Sequence, residues 1–211
     1  FKEDEQLNML NHSCAHLMAQ AVKHLYPQAK FWVGPVVAEG FYYDIDLGDD
    51  VIRDEDIAAI EKEMKKVAKS GKKIIRHEIS KEEALEMFKD DSYKLDLISN
   101  LEDGTITCYE QGDFTDLCRG PHVDNVKLCR HFKLIRHSGA YWKGDSKNKM
   151  LQRIYGVCFP TAEMAMGLML SAARRITECD RRIRVEKESI WGVMKNLGFT
   201  LEGRTLGIIG M

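Results

Sequence analysis

From about Gln6 to Tyr26 the apolar residues Leu7, Leu10, Leu17, Ala21 and Leu25 recur at helical spacing, and Pro27 stops the pattern. The spacing predicts a long helix that carries His-Ser-Cys-Ala-His at residues 12–16. Side chains four apart share one helix face, so His12 and His16 project together into whatever that face covers. A second pair with the same three-residue gap, Cys118 and His122 in Cys-Arg-Gly-Pro-His, lies roughly 100 residues further on. A fold that brings the two pairs together places three imidazoles and a thiol at one point.

The rest of the chain reads as alternating short elements. Phe31 to Asp46, rich in aromatic and β-branched residues around Gly34-Pro35, predicts a hairpin or meander, with Phe41, Tyr43 and Ile45 on its packed face and Tyr42, Asp44 and Asp46 on a polar one. Arg53 to Ser70 predicts a second helix, capped early by Asp54 and ended near Gly71. Lys73 to Ile79 follows as a strand, and Ser80-Lys-Glu-Glu is a capping box opening a third helix to about Phe88. Strands are expected at Tyr93–Ile98 and Ile106–Glu110 around an Asp103-Gly104 turn, then a loop, then strands at Phe132–Ser138 and Leu151–Val157. No regular βαβ spacing is present, so the expected class is α+β, an antiparallel or mixed sheet with packed helices, followed by a helical C-terminal segment.

Composition narrows the setting. The 211 residues are 44% hydrophobic and 30% charged, with no run of about 18 apolar residues, which predicts a globular chain without a transmembrane helix. Phe-Lys-Glu-Asp-Glu at the start carries charge where a secretory signal needs an apolar core; it reads as the start of an excised fragment with a cytoplasmic home. Six scattered cysteines are expected to be thiols. The net charge of -2 gives no global nucleic-acid footprint, yet Lys65, Lys66, Lys69, Lys72, Lys73 and Arg76 share an acid-free stretch, and a second basic stretch runs from Lys127 to Arg136. Both stretches permit RNA and both also fit a solvated face.

Three readings of the paired motifs stay open at this level. Ester hydrolysis needs a positioned water, a group that takes its proton, and donors for the developing oxyanion. Imidazoles and a nearby lysine supply the first two; Asp116 would anchor a substrate ammonium, and Arg119 or the Gly120 backbone would face an anion. Zinc is the competing use, because His12, His16, Cys118 and His122 are all permissible ligands. The bland reading is a tight turn set by Gly120 and Pro121.

Four blocks carry a resemblance: Asn11-His-Ser-Cys-Ala-His16, Gly34-Pro-Val-Val-Ala-Glu-Gly-Phe-Tyr-Tyr-Asp44, Asp116-Leu-Cys-Arg-Gly-Pro-His122, and Gly139-Ala-Tyr-Trp-Lys-Gly-Asp-Ser146 with Asn148-Lys-Met-Leu-Gln-Arg-Ile-Tyr-Gly156. In this order, over roughly residues 1–159, they resemble the editing domain of bacterial-type threonyl-tRNA synthetases. The resemblance implies post-transfer editing, the hydrolysis of serine wrongly esterified to threonine tRNA, by a pocket that acts as a second sieve. It implies that His12, His16, Cys118 and His122 form the site, that Asp116 holds the substrate amino group, and that Tyr43 and Lys94 line it. Lys94, beside His12, is the candidate for activating water. No cofactor is expected, with zinc on the same four residues as the alternative. The implied partner is a threonine tRNA whose 3′ end carries serine, and the runner-up function is a zinc-binding, tRNA-docking module without catalysis.

The expected domains are 1–159 and 160–211. Thr161-Ala-Glu-Met-Ala-Met-Gly-Leu-Met-Leu-Ser-Ala-Ala-Arg-Arg175 and Leu201-Glu-Gly-Arg-Thr-Leu-Gly-Ile-Ile-Gly-Met211 resemble D-isomer-specific 2-hydroxyacid dehydrogenases, where a strand opens a glycine-rich nucleotide-binding turn. The turn is incomplete here, and the amides that would bind a pyrophosphate belong to a helix this sequence lacks. A dehydrogenase fragment therefore ranks last. Thr161 to Arg184 is expected as one amphipathic helix with Met164, Leu168, Ile176 and Ile183 as apolar anchors, and Trp191, Phe199, Ile208 and Ile209 as an aggregation risk.

Overall fold

In the computed structural model, which describes residues 3–102, 104, 106–185 and 198–205, the first helix forms where the apolar spacing places it. Helix α1 spans Glu5–Leu25; the Asp4 carboxylate accepts from the Gln6 and Leu7 amides and caps it, and the chain leaves it before Pro27. Leu10, Cys14, Leu17, Met18, Ala21 and Val22 are buried, but so are Asn11, Ser13, His16 and Gln20. An amphipathic helix that is buried on its polar side as well lies between layers and must satisfy its polar groups internally. Asn11 does so on the main sheet: its amide donates to the Cys158 carbonyl at 3.0 Å and accepts from the Cys158 amide at 2.8 Å.

That sheet contains β1 (Lys30–Phe31), β2 (Val36–Val37), β3 (Gly40–Asp46), β7 (Phe132–Tyr141) and β8 (Met150–Cys158), ordered β1-β3-β8-β7 with β2 also on β3, all antiparallel. Phe41, Tyr43 and Ile45 face the core as alternation requires. On the other face Asp44 is fully buried rather than wetted, because Arg153, its cross-strand partner, grips both carboxylate oxygens at 2.6 and 2.7 Å. Helix α2 (Asp54–Ser70) packs Ile60, Met64 and Val67 inward; Asp54 is its first residue rather than its cap, and the Arg53 amide donates to Asp56 at 2.8 Å.

A smaller antiparallel sheet, β4 (Ile74–Ile79), β5 (Ile106–Gln111) and β6 (Phe114–Leu117), carries α3 (Lys81–Met87) and α4 (Ser92–Ser99) on a satellite core of Ala84, Ile98 and Ile106. Two expectations are corrected here. Tyr93–Ile98 is helix α4, not a strand: Asp91 accepts from the Tyr93 and Lys94 amides, and the buried Lys94 and Ile98 share a face four residues apart. The expected loop before residue 132 contains β6, which pairs with β5 and carries Asp116. The α+β class with antiparallel sheets is as expected.

The chain divides into two compact units, Phe1–Pro160 and Thr161–Met211. In the second, the expected single helix is two, α5 (Thr161–Ala173) and α6 (Ile176–Arg184), separated at Arg175, whose φ of 56° is left-handed. Leu168, Ile176, Ile183 and Phe199 are exposed and Met164 is half-buried, so none of the four expected anchors is buried. All of the expected strand 205–211 except Thr205, with Ile208 and Ile209, as well as Trp191 and Asp103 of the expected turn, lies outside the described residues. Among the described residues no helix is long and apolar enough to cross a membrane.

Candidate functional site

The two sequence pairs meet. Helix α1 presents His12 and His16, and the segment leaving β6 presents Cys118 and His122, with one donor atom from each within 4.8 Å of all the others. The return of that segment depends on Gly120, at φ 73°, where a β-carbon would collide with the Tyr109 hydroxyl. Cys118 Sγ lies 3.2 Å from His12 Nε2 and 3.2 Å from His122 Nε2, and accepts from the Gly120 amide at 3.2 Å. The Gly120 N–H is therefore already engaged on sulfur. The rings form one stack of edges and faces, with His122 centred 4.3 Å from both His12 and His16 and 4.4 Å from Tyr109.

Beside this cluster lies a charge network that the sequence assembled from three separate blocks. Asp116 is buried, and Lys94 Nζ sits 2.5 Å from its Oδ1. The Tyr43 hydroxyl donates to the other carboxylate oxygen. Lys94 also donates to the Trp32 carbonyl at 3.1 Å and to the Tyr43 oxygen at 3.2 Å, so all three of its ammonium hydrogens have partners. His16 Nε2 stands 3.8 Å from Asp116 and links the two groups. Arg119 is exposed and, with Cys118, Thr107 and Leu97, borders a cavity of about 630 Å³. A second cavity of about 440 Å³ reaches Lys94 and Asp116 from beside Phe31 and Phe114.

Burial sets the protonation of the cluster. It lowers His12, against a hydrogen bond to the Pro121 backbone and the charge of Asp116 that raise it. Burial lowers His16 far more, with His12 and Lys94 adding repulsion, and burial with His16 and His12 drives His122 well below the usual imidazole value. Burial pushes the Cys118 thiol up to about 12. Near neutral pH the site therefore holds three neutral imidazoles and a protonated thiol. Each imidazole keeps one ring lone pair, available to a proton or a metal.

The donor set fits a tetrahedral ion. Zinc with one sulfur and several nitrogens at their ordinary bond lengths spaces S···N edges at about 3.5 Å, and the two observed edges are 3.2 Å. The four residues are thus compatible with zinc, which would convert Cys118 to the thiolate.

Sequence reading missed Ser13, Trp32 and Tyr109. Ser13 sits inside the first motif, and its oxygen lies 3.0 Å from His122 Nδ1; nothing in the spacing marks a serine between two histidines as their support. Trp32 acts through its carbonyl, to which sequence is blind, and Tyr109 through its ring.

Comparison with known proteins places the chain among aminoacyl-tRNA synthetase relatives. The family described as "Threonyl and Alanyl tRNA synthetase second additional domain" matches residues 106–155. A threonine–tRNA ligase of Desulfatibacillum aliphaticivorans is 52% identical over 158 residues, 75% of this chain and 24% of the ligase. The Finegoldia magna ligase is 53% identical over 167 residues, 78% of this chain and 26% of its own. That of Acholeplasma laidlawii is 47% identical over 178 residues, 84% of this chain and 28% of its own. The last match covers more of the chain than the first unit contains, so the likeness runs past residue 160. The chain spans about a quarter of the length of these relatives.

Proposed function

We propose, for a chain whose first unit belongs with the threonyl-tRNA synthetases and carries their editing-type second additional domain, that it hydrolyses the ester joining serine to a threonine tRNA. The observation that carries this reading is the set of neutral imidazoles beside a buried carboxylate. Neutral His12, only half-buried and oriented by Pro121, takes the proton of the attacking water. Asp116 receives the substrate ammonium. Lys94, whose three hydrogens are all in use, serves as the cation that holds Asp116 and Tyr43 in place rather than as a resting base. With the Gly120 amide on sulfur, Arg119 at the cavity rim is the better placed donor for the developing oxyanion. Serine is admitted, and the extra methyl of threonine disturbs the water geometry.

The tRNA would run over a basic face. Lys65, Lys69, Lys72 and Lys73 are exposed on α2 and the turn after it, a backbone-reading surface without base specificity.

Purified protein should release serine from mischarged threonine tRNA and leave threonine attached, and His12→Ala should slow this at least about 100-fold, the usual contribution of a general base. Absence of serine release by the wild type would overturn the reading. A second reading, a zinc-bound docking module, is favoured by the four-ligand geometry. Bound zinc would there tie the Cys118–His122 segment to α1 as a structural site. Stoichiometric zinc by elemental analysis together with no deacylation would select it.

A further inference from the structure

Ser13 is fully buried on α1, and its hydroxyl makes three contacts: the Met9 carbonyl at 2.8 Å, the Val123 amide at 3.0 Å and His122 Nδ1 at 3.0 Å. A hydroxyl has one hydrogen to give and two lone pairs to receive. The Met9 carbonyl only accepts, so it takes the hydrogen. The Val123 amide only donates and occupies one lone pair. The contact left for His122 is the second lone pair, which requires a hydrogen on Nδ1. A neutral imidazole protonated there is bare at Nε2, and that atom lies 3.2 Å from Cys118 Sγ.

We propose that Ser13 is a positioning residue: its hydroxyl fixes His122 as the Nδ1–H tautomer and keeps the Nε2 lone pair aimed into the space shared with Cys118. The arrangement has a chemical purpose. The Cys118 thiol has a single hydrogen and two imidazole Nε2 atoms within reach. A permanently bare His122 Nε2 accepts it, and His12 is left free for water. In the other tautomer the N–H of His122 would point at sulfur, the thiol hydrogen would turn to His12, and the base would be blocked. The rate arm of the test rests on the editing reading; the tautomer arm does not.

Ring-nitrogen NMR of protein labelled with nitrogen-15 at histidine reads the tautomer directly. The wild type should show His122 protonated at Nδ1. Ser13→Ala should release it, with the Nε2–H form rising to half or more, while Ser13→Thr, which keeps the hydroxyl, should retain the wild-type form. Deacylation of seryl-tRNA by Ser13→Ala should fall about 10-fold or more in kcat with KM unchanged, the usual effect of losing a group that orients a functional histidine. A wild-type His122 protonated at Nε2, or a Ser13→Ala protein that folds and keeps the Nδ1–H form, overturns the proposal. If Ser13→Ala does not fold, the wild-type spectrum alone decides. A wild type without deacylation but with the Nδ1–H form sinks the editing reading and leaves the role of Ser13 standing.

Discussion

Asp44 and Asp116 are both buried aspartates on strands, and each meets one cation. Arg153 holds Asp44 through a planar fork, Nε to one oxygen and a terminal nitrogen to the other, and its guanidinium also lies 4.0 Å over the Tyr42 ring. Such a fork saturates the carboxylate and leaves a ligand nothing to exchange. Lys94 is a point charge shared among Asp116, Trp32 and Tyr43, and Asp116 borders a cavity and faces His16. Lysine imposes no paired geometry, so Asp116 keeps acceptor capacity that the fork of Arg153 takes up at Asp44. Burial of a carboxylate is thus no mark of function by itself; the acceptor capacity its partner leaves is what separates the two.

Four measurements would break or sharpen this contrast. The largest effect is expected at the Lys94–Asp116 pair. Lys94→Ala or Asp116→Ala leaves one charge buried alone and should destabilise the protein by about 3–5 kcal/mol, whereas the double variant Lys94→Met with Asp116→Asn should lose less than the sum of its parts. Additive losses in denaturant titrations would show that the two side chains do not act as a pair. Arg153→Ala should cost about 2–3 kcal/mol, since water reaches the arginine side. Its seryl-tRNA deacylation per folded molecule should stay within about 3-fold of wild type, given that general-base and site contacts account for about 100-fold or more. A larger drop would make Asp44 part of the site as well.

The third and fourth measurements concern pH, where two histidine groups act with opposite sign. His12, His16 and His122 have folded values below that of the unfolded chain. Below about pH 6.5 the unfolded chain gains protons that the folded site refuses, so stability falls with acid, and deacylation that depends on neutral His12 falls in the lower part of the same range. A rate that rises toward pH 5 would exclude His12 as the base. His24 behaves oppositely. Burial pulls it down, but hydrogen bonds that its ring donates to the Glu63 and Asp113 carboxylates, each 3.0 Å away, outweigh that and raise it. Its contribution is present in full below about pH 6.5 and is lost as pH rises through its folded value. His24→Gln should therefore lower Tm most near pH 6 and not at pH 9, by about 2 °C or less for so exposed a group.

The order of elements was largely legible because most of them solve a local problem. The apolar spacing before Pro27, the Ser80 capping box and the alternation through Phe41, Tyr43 and Ile45 each act within a few residues, and each appears as expected. Helix α4 was misread because its buried face includes a lysine, which the periodicity argument counts as polar; the cap at Asp91 was the signal that could have found it. The break at Arg175 has no glycine or proline to announce it. At the site, the motif residues could be paired by spacing, but Ser13 and the Trp32 carbonyl could not. Support of that kind depends on which atom faces which, and a serine in a helix is more often an unremarked surface or core residue.

What the sequence by itself determined is the chemistry brought to the site: three imidazoles, a thiol, a carboxylate and a lysine, on segments whose periodicity and turn residues fix their local shape. Only the tertiary structure decided their states. The low dielectric around α1 makes the imidazoles neutral and keeps the thiol protonated. The count of donors and acceptors around Lys94 and Ser13, which exists only once distant segments are packed together, decides which hydrogens are committed and which lone pairs are free.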